Sequence, residues 1–149
     1  MAGTAEETAA AERDGLDCLL APRSIAIVGV SRDFNKLNGR VMKFLLEKGY
    51  EGRILPVNPK YDEVGGHICH ADILEAPDEI DLAVISVPAR MVAAELDKAG
   101  RKGARAAVVF SSGFGEMGEA GRALEAEVVE TARRHGIRLL GPNKIGRAH

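Results

Sequence analysis

Ser24-Ile25-Ala26-Ile27-Val28-Gly29-Val30-Ser31-Arg32 is the stretch whose reading decides the fold. An unbroken aliphatic run of this length, stopped by glycine, reads as a strand buried on both faces. The period then changes. Val41, Phe44 and Leu45 recur at helical spacing between Asn38 and Lys48, and Gly49 closes that helix. Arg53–Val57 reads as a second strand, ended by Asn58-Pro59. The alternation continues outward: a short strand over His67–Cys69, a strand over Asp81–Val87, and a helix marked by Met91, Val92, Glu95, Leu96 and Ala99. Ala106–Phe110 is the next strand, Ala120–His135 a long amphipathic helix, and Ile137–Leu140 a last strand. Before the first strand, Leu16, Leu19 and Leu20 make a short helical turn that ends ahead of Pro22. Aliphatic strands alternating with helices predict an α/β fold, a doubly wound parallel sheet of Rossmann-like type with about five or six strands.

Composition narrows the function. The 149 residues carry 20 basic and 22 acidic side chains, a net charge of −2, which argues against a generic nucleic-acid binder. With 46% hydrophobic but only 4% aromatic residues and no Trp, the core must be aliphatic. No apolar run approaches the ~18 residues of a membrane span, and the acidic N-terminus lacks the apolar region of a secretory signal. Cys18 and Cys69 give neither a disulfide framework nor a paired ligand motif, so a cytoplasmic location is expected. Residues 1–15 read as a mobile tail, 16–143 as the folded domain and 144–149 as a C-terminal remnant.

In an open parallel sheet the ligand sits beyond the carboxyl ends of the strands. Here every such loop is built of small, polar or Pro/Gly residues: Gly29-Val30-Ser31-Arg32, Val57-Asn58-Pro59-Lys60, Ser86-Val87-Pro88, Ser111-Ser112-Gly113 and Gly141-Pro142-Asn143. Gly29 ends its strand where a side chain would obstruct a ligand. Ser31 offers a hydroxyl and an N–H, and Lys36 and Arg40 bring positive charge to a helix start, a setting that favours phosphate. The usual dinucleotide fingerprint is absent, because Ser31 and Phe34 stand where glycines would be needed and strand two ends in Val57-Asn58 rather than an acid. Gly113-Phe114-Gly115-Glu116-Met117-Gly118 matches that fingerprint literally, but it follows a late strand and carries Glu116; it reads as a flexible loop that closes over a ligand. His67, Cys69 and His70 alternate faces and read as surface side chains rather than a metal site. Asp78, Glu79 and Asp81 read as a solvated connection, and no motif for nucleophilic catalysis occurs.

Six ordered blocks then carry a resemblance. They are Pro22–Arg32, Lys36-Leu37-Asn38-Gly39-Arg40-Val41, Gly52–Tyr61, Asp81–Ala89, Val108–Phe114 and Gly136–Asn143. In this order the chain, from about Leu16 to Asn143, resembles the CoA-binding domain of NDP-forming acyl-CoA synthetases, the family of the succinyl-CoA synthetase α subunit. The resemblance implies coenzyme A as ligand. It implies that Gly29, Ser31, Arg32 and Lys36 hold phosphates, that Val57, Asn58, Pro59, Val87 and Pro88 line the CoA groove, and that Ser112, Gly113 and Asn143 lie toward the thiol. Arg32, Lys36, Arg40, Arg53 and Lys60 all fall near the first two exit loops, which suits a multiply charged anion. The lack of an acid at the end of strand two also fits, since a carboxylate would repel the CoA 3′-phosphate.

Two departures qualify the implied activity. Lys144 stands where the family usually has Cys, and the family's phosphohistidine domain has no counterpart here; His149 matches no family motif. The expectation is therefore a chain that binds CoA or acyl-CoA, alongside a partner domain or subunit of a synthetase, without catalysing alone. Nucleic acid and membrane are not expected partners. Two other readings stay open at this level. One is an NAD(P)-binding redox module, with Ser31 and Asn58 against NAD but Arg32 and Lys60 compatible with NADP. The other is a non-catalytic scaffold that docks a partner through an apolar surface.

Overall fold

The structure, a computed structural model, describes residues 14–111, 113–115 and 117–141. Five strands form one parallel sheet in the order β2-β1-β5-β6-β7: β1 (Ser24–Val28), β2 (Arg53–Val57), β5 (Leu82–Ile85), β6 (Ala106–Val109) and β7 (Arg138–Leu140). Among the described residues four helices pack on it: α1 (Gly15–Leu20), α2 (Leu37–Glu47), α3 (Ala89–Arg101) and α4 (Glu119–His135).

The continuous aliphatic strands have the physical cause the sequence implied. Side chains alternate across a strand, so a sheet covered on both faces needs apolar residues at every position. Ala26, Val28, Leu55, Val57, Ala83, Ile85, Ala107 and Val109 face one core, where Val92, Leu96 and Ala99 of α3 and Val128 and Ala132 of α4 cover them. Ile25, Ile27, Ile54, Leu82, Val84 and Ala106 face the other, under Cys18 of α1 and Met42 and Leu45 of α2. Each fully buried aliphatic side chain contributes roughly 1.5–3 kcal/mol. Gly49 and Gly136 follow α2 and α4 in the left-handed conformation that ends a helix, as their positions after the periodic segments predict.

Three local expectations need correction. His67–Cys69 does not supply a strand to the main sheet. Its His67–Ile68 portion is β4, which pairs antiparallel with β3 (Glu63–Val64) in a separate two-stranded ribbon. That ribbon folds beneath the end of β2, where Val57 and His70 form an isolated parallel bridge. Cys69 is not a surface side chain: it is buried in the α2-side core, and burial pushes its thiol above the ordinary range.

Asp81 is likewise not solvated. It is 8% exposed, and its carboxylate accepts from the Arg23 backbone N–H at 2.8 Å and from Arg23 Nε at 3.0 Å. Its own N–H donates to Ser24 Oγ, whose hydroxyl donates to the Glu79 carbonyl. This knot ties the amino ends of β1 and β5, at the edge of the sheet opposite the exit loops.

Candidate functional site at the carboxyl edge of the sheet

The chain leaves β1 toward β2 on one side, while β5, β6 and β7 continue on the other, so the order reverses between β1 and β5. A crevice opens at such a point because the two crossovers diverge. Its floor is closely built. Val28 is in register with Val57 and Ile85; the Gly29 N–H donates to the Val57 carbonyl at 2.9 Å, and the Ser86 N–H to the Val28 carbonyl at 2.9 Å.

Gly29 has φ +83°, and a Cβ there would lie 2.3 Å from the Ser86 carbonyl oxygen. The backbone after the neighbouring strand thus requires glycine at this position by itself. The loop after it is held down from two sides. Asn38 Nδ2 donates to the Gly29 carbonyl at 2.9 Å, and Asn58 Nδ2 donates to the Val30 carbonyl at 2.8 Å. Gly39 lets α2 approach this loop: a Cβ there would lie 2.2 Å from the Asp33 carbonyl oxygen.

Two cavities flank the crevice and share the wall Ser86-Val87-Pro88. One, of about 450 Å³, is lined by Gly29, Val57, Asn58, Pro59 and Lys60 from the first two exits, with Ala71, Asp72, Met91 and Glu95 opposite. The second, of about 550 Å³, lies between the starts of α2 and α3 and is lined by Leu37, Asn38, Ala89, Arg90, Phe110, Ser111, Gly113 and Met117. Ser111 Oγ accepts the Val87 N–H at 3.0 Å and so fixes the shared wall. A wider depression of about 810 Å³ runs along the outer side of α4, between Arg122, Glu125, Glu130 and Arg133. It is lined by no residue of the β1, β2 or β5 exits, and Arg133 and Glu130 in its wall form an ion pair at 2.8 Å.

Of the residues singled out in the sequence, Gly29, Val57, Asn58, Pro59, Val87 and Pro88 line the first cavity, and Val87, Pro88 and Gly113 line the second. Ser31, Arg32 and Lys36 line neither. Ser31 is buried: its N–H donates to the Asn38 carbonyl and its Oγ accepts from the Asp33 N–H, so its N–H and one lone pair of its hydroxyl serve the loop itself. Arg32 turns away to the β3–β4 ribbon, where Nε donates to the Glu63 carbonyl at 2.9 Å and the guanidinium lies 4.7 Å from the Tyr61 ring centroid. Lys36 is the exposed N-cap residue of α2. Ser112 and Asn143 lie outside the described residues.

The expected gathering of cations is therefore smaller than the sequence implied. Arg53 opens β2 at the amino edge and pairs with Asp78 at 3.4 Å, and Arg40 lies on the outer side of α2 beside Phe34 and Phe44. Lys60 and Arg90 are the cations in the walls of the two cavities. What they lack is replaced by helix geometry. The N-cap positions of α2 (Lys36) and α3 (Pro88) make no side-chain capping hydrogen bond, whereas Asp14 caps α1. Two helix starts with uncapped N–H groups thus meet at one cavity.

Sequence reasoning missed the acidic side of the first cavity. Asp72 and Glu95 stand on different elements and meet only in the fold, bridged by Lys98, whose Nζ lies 2.8 Å from Asp72 Oδ2 and 3.5 Å from Glu95 Oε2. The hydrogen bond from Lys98, then that from the Leu74 N–H, holds the Asp72 carboxyl below its usual range; the same bond to Asp72 holds Lys98 above its own. In the Gly113–Gly118 stretch Phe114 is not a loop tip: it is 1% exposed and packs in the α3/α4 core. Among the described residues no group of three His, Cys, Asp or Glu side chains could hold a metal, and no helix is long and apolar enough to cross a membrane.

A parallel sheet with its crevice at the point of strand reversal and two helix starts at that crevice define a nucleotide-type ligand-binding domain. A profile of the CoA binding domain family matches residues 23–149, and the chain belongs to that family. The α subunit of ADP-forming acetate–CoA ligase I from Pyrococcus furiosus is 45% identical over 139 residues, a match covering 88% of this chain and 29% of the relative. ADP-forming acetate–CoA ligase II from Archaeoglobus fulgidus is 42% identical over 128 residues, covering 86% of this chain and 19% of the relative. The apo structure of the dinucleotide-forming acetyl-coenzyme A synthetase 1 of Ca. Korarchaeum cryptofilum superposes with a TM-score of 0.79 at 41% identity, over 86% of this chain and 28% of that one. The chain is homologous to the CoA-binding portion of ADP-forming acyl-CoA synthetases and spans less than a third of the length of these relatives.

Proposed function

We propose that this chain binds coenzyme A or acyl-CoA across the crevice between β1 and β5, as the CoA-binding part of an acyl-CoA synthetase-like protein. The observation that carries this reading is the pair of cavities on either side of Ser86-Val87-Pro88, with the uncapped starts of α2 and α3 at one of them. Backbone N–H groups and helix dipoles at those starts suit the diphosphate, the central anionic part of CoA. From there the molecule extends both ways. The adenosine end takes the cavity of Val57, Pro59 and Lys60, where Lys60 has the reach to meet the 3′-phosphate. The thiol end takes the cavity of Phe110, Gly113 and Met117, whose lining is mostly apolar. Arg32 and Lys36 belong to this reading as exposed cations flanking the rim rather than as cavity walls. The family resemblance assigns Ser112 and Asn143, outside the described residues, to the thiol end.

Thermal unfolding with added CoA, dephospho-CoA, NAD and NADP tests the proposal. A ligand that binds only the folded state stabilises it by RT ln(1 + [L]/Kd), about 2.7 kcal/mol at a hundredfold excess over Kd. CoA is expected to raise the midpoint most, with dephospho-CoA second. A shift with NADP and none with CoA would transfer the site to the redox-cofactor class. No shift with any of the four would leave the crevice without the proposed ligand.

A further inference from the structure

The adenosine-end cavity combines features that a phosphate-binding crevice does not need. Val57, Val87, Pro88 and Met91 give it apolar walls, and the Glu95 carboxylate stands at its far side. Glu95 is held rather than free to sweep: its side chain is 14% exposed, and one oxygen, Oε2, faces Lys98 at 3.5 Å. Both Asp72 oxygens are engaged at short distance, Oδ1 by the Leu74 N–H at 2.9 Å and Oδ2 by Lys98 at 2.8 Å. The Glu95–Lys98 contact is longer, and no hydrogen bond to Glu95 Oε1 is among the described contacts. A mostly apolar cavity with a held carboxylate in its wall suits an aromatic base that carries an N–H₂ donor. It disfavours a base that presents a carbonyl oxygen at the same place, since two acceptors would face each other.

Resting on the proposed CoA site, we infer that Glu95 is a specificity-determining residue, whose carboxylate accepts the exocyclic amino group of adenine and so selects 6-aminopurine ligands over 6-oxopurine ones. Lys98 offsets one of the two negative charges of the Asp72–Glu95 pair and Lys60, in the wall of the same cavity, offsets the other, so the slot is not a net repellent to the phosphates nearby. Met91 and Pro88, on the first turn of α3 and just before it, supply the surface on which the ring lies.

Isothermal titration calorimetry on the full chain tests this with three ligands: CoA, its hypoxanthine analogue, and 4′-phosphopantetheine, which has no base. A site built to hydrogen-bond a donor rejects the analogue that lacks it, because the half-buried acceptor is left facing another acceptor. The parent chain is expected to bind CoA at least about tenfold more tightly than the hypoxanthine analogue. In Glu95→Gln the side-chain amide presents either a donor or an acceptor, so the preference is expected to fall to within about threefold. Affinity for 4′-phosphopantetheine should be the same in both proteins. Equal binding of the two bases by the parent would overturn the inference while leaving the CoA site standing. So would an undiminished preference in Glu95→Gln, or an equal loss for all three ligands, which would mark Glu95 as a purely structural residue. If CoA itself does not bind the parent chain, the reading of the crevice falls and this inference falls with it.

Discussion

Replacing Gly29 with alanine isolates the contact on which the crevice is built. Two costs arise there and can be separated. The first is conformational: a residue with a Cβ pays roughly 1–2 kcal/mol to adopt the positive φ that Gly29 holds at +83°. The second is steric: the new Cβ would lie 2.3 Å from the Ser86 carbonyl oxygen and 2.9 Å from its carbon. Backbone cannot rotate out of the way as a side chain does, so β1 and β5 must part at their exits, an overpacking cost of roughly 1–3 kcal/mol. Gly66 is the matched control. Its φ is +86°, nearly that of Gly29, yet nothing lies within 4 Å of a Cβ placed there. Urea unfolding of the two alanine variants should show Gly66→Ala losing about 1–2 kcal/mol and Gly29→Ala losing about 2–5 kcal/mol. In thermal melts of a domain this size, each kcal/mol is about 4 °C. Equal losses in the two variants would refute the claim that the Gly29–Ser86 backbone approach shapes the site.

Asp81→Ala removes the acceptor of the Arg23 N–H and guanidinium at the opposite edge of the sheet, and should cost about 2 kcal/mol in denaturant unfolding while leaving ligand affinity unchanged. Phe114→Ala empties a 1%-exposed core position and should cost about 3–5 kcal/mol, with a weaker ligand shift because the loop bearing Gly113 loses its anchor. The Asp72 carboxyl is held below its ordinary value of 3.8 by Lys98, so its contribution is fully present above pH 3.8 and is lost as pH falls through the lower folded value; Asp72→Asn should flatten that part of an acid stability curve. Lys98, held above 10.5 by Asp72, gives the mirror case: its contribution is present below pH 10.5 and is lost as pH rises through the higher folded value. Lys60→Ala should weaken CoA more than dephospho-CoA in calorimetric titrations, because only CoA carries the 3′-phosphate that Lys60 is expected to meet.

The architecture was legible because two-sided burial leaves an unmistakable trace. Ile25 to Val28 and Leu82 to Ile85 are apolar at every position, which only a strand covered on both faces requires. Residues that line the crevice by their place in the chain, such as Val57, Pro59, Val87 and Pro88, could be read directly, since the end of a parallel strand has a fixed side of the sheet. Strand direction by itself also sends Arg53, the first residue of β2, to the far edge, so its expected role among the exit-loop cations was in conflict with the strand that contains it.

What could not be read was any partnership between distant residues. Asp81 sits among acidic neighbours that look solvated, and its partner Arg23 is 58 positions away. Glu95 looks like one more polar residue on an amphipathic helix until the 3₁₀ turn Ile73–Glu75 brings Asp72 beside α3. Ser31 illustrates the reverse. Its type and position suit phosphate, but the tight fold-back of the loop onto Asn38 and Asp33 uses its backbone N–H and side-chain oxygen locally.

The central claim, that one ligand lies across the strand-reversal point with its two ends in the adjoining cavities, is tested most directly by following backbone amide signals in solution as CoA is added. The account predicts that the signals of Gly29, Asn58, Lys60, Ser86, Val87, Ala89 and Arg90 move together and saturate at one CoA per chain. Movement confined to Arg122, Ala126 and Val129 of α4, or no movement at all, would contradict it.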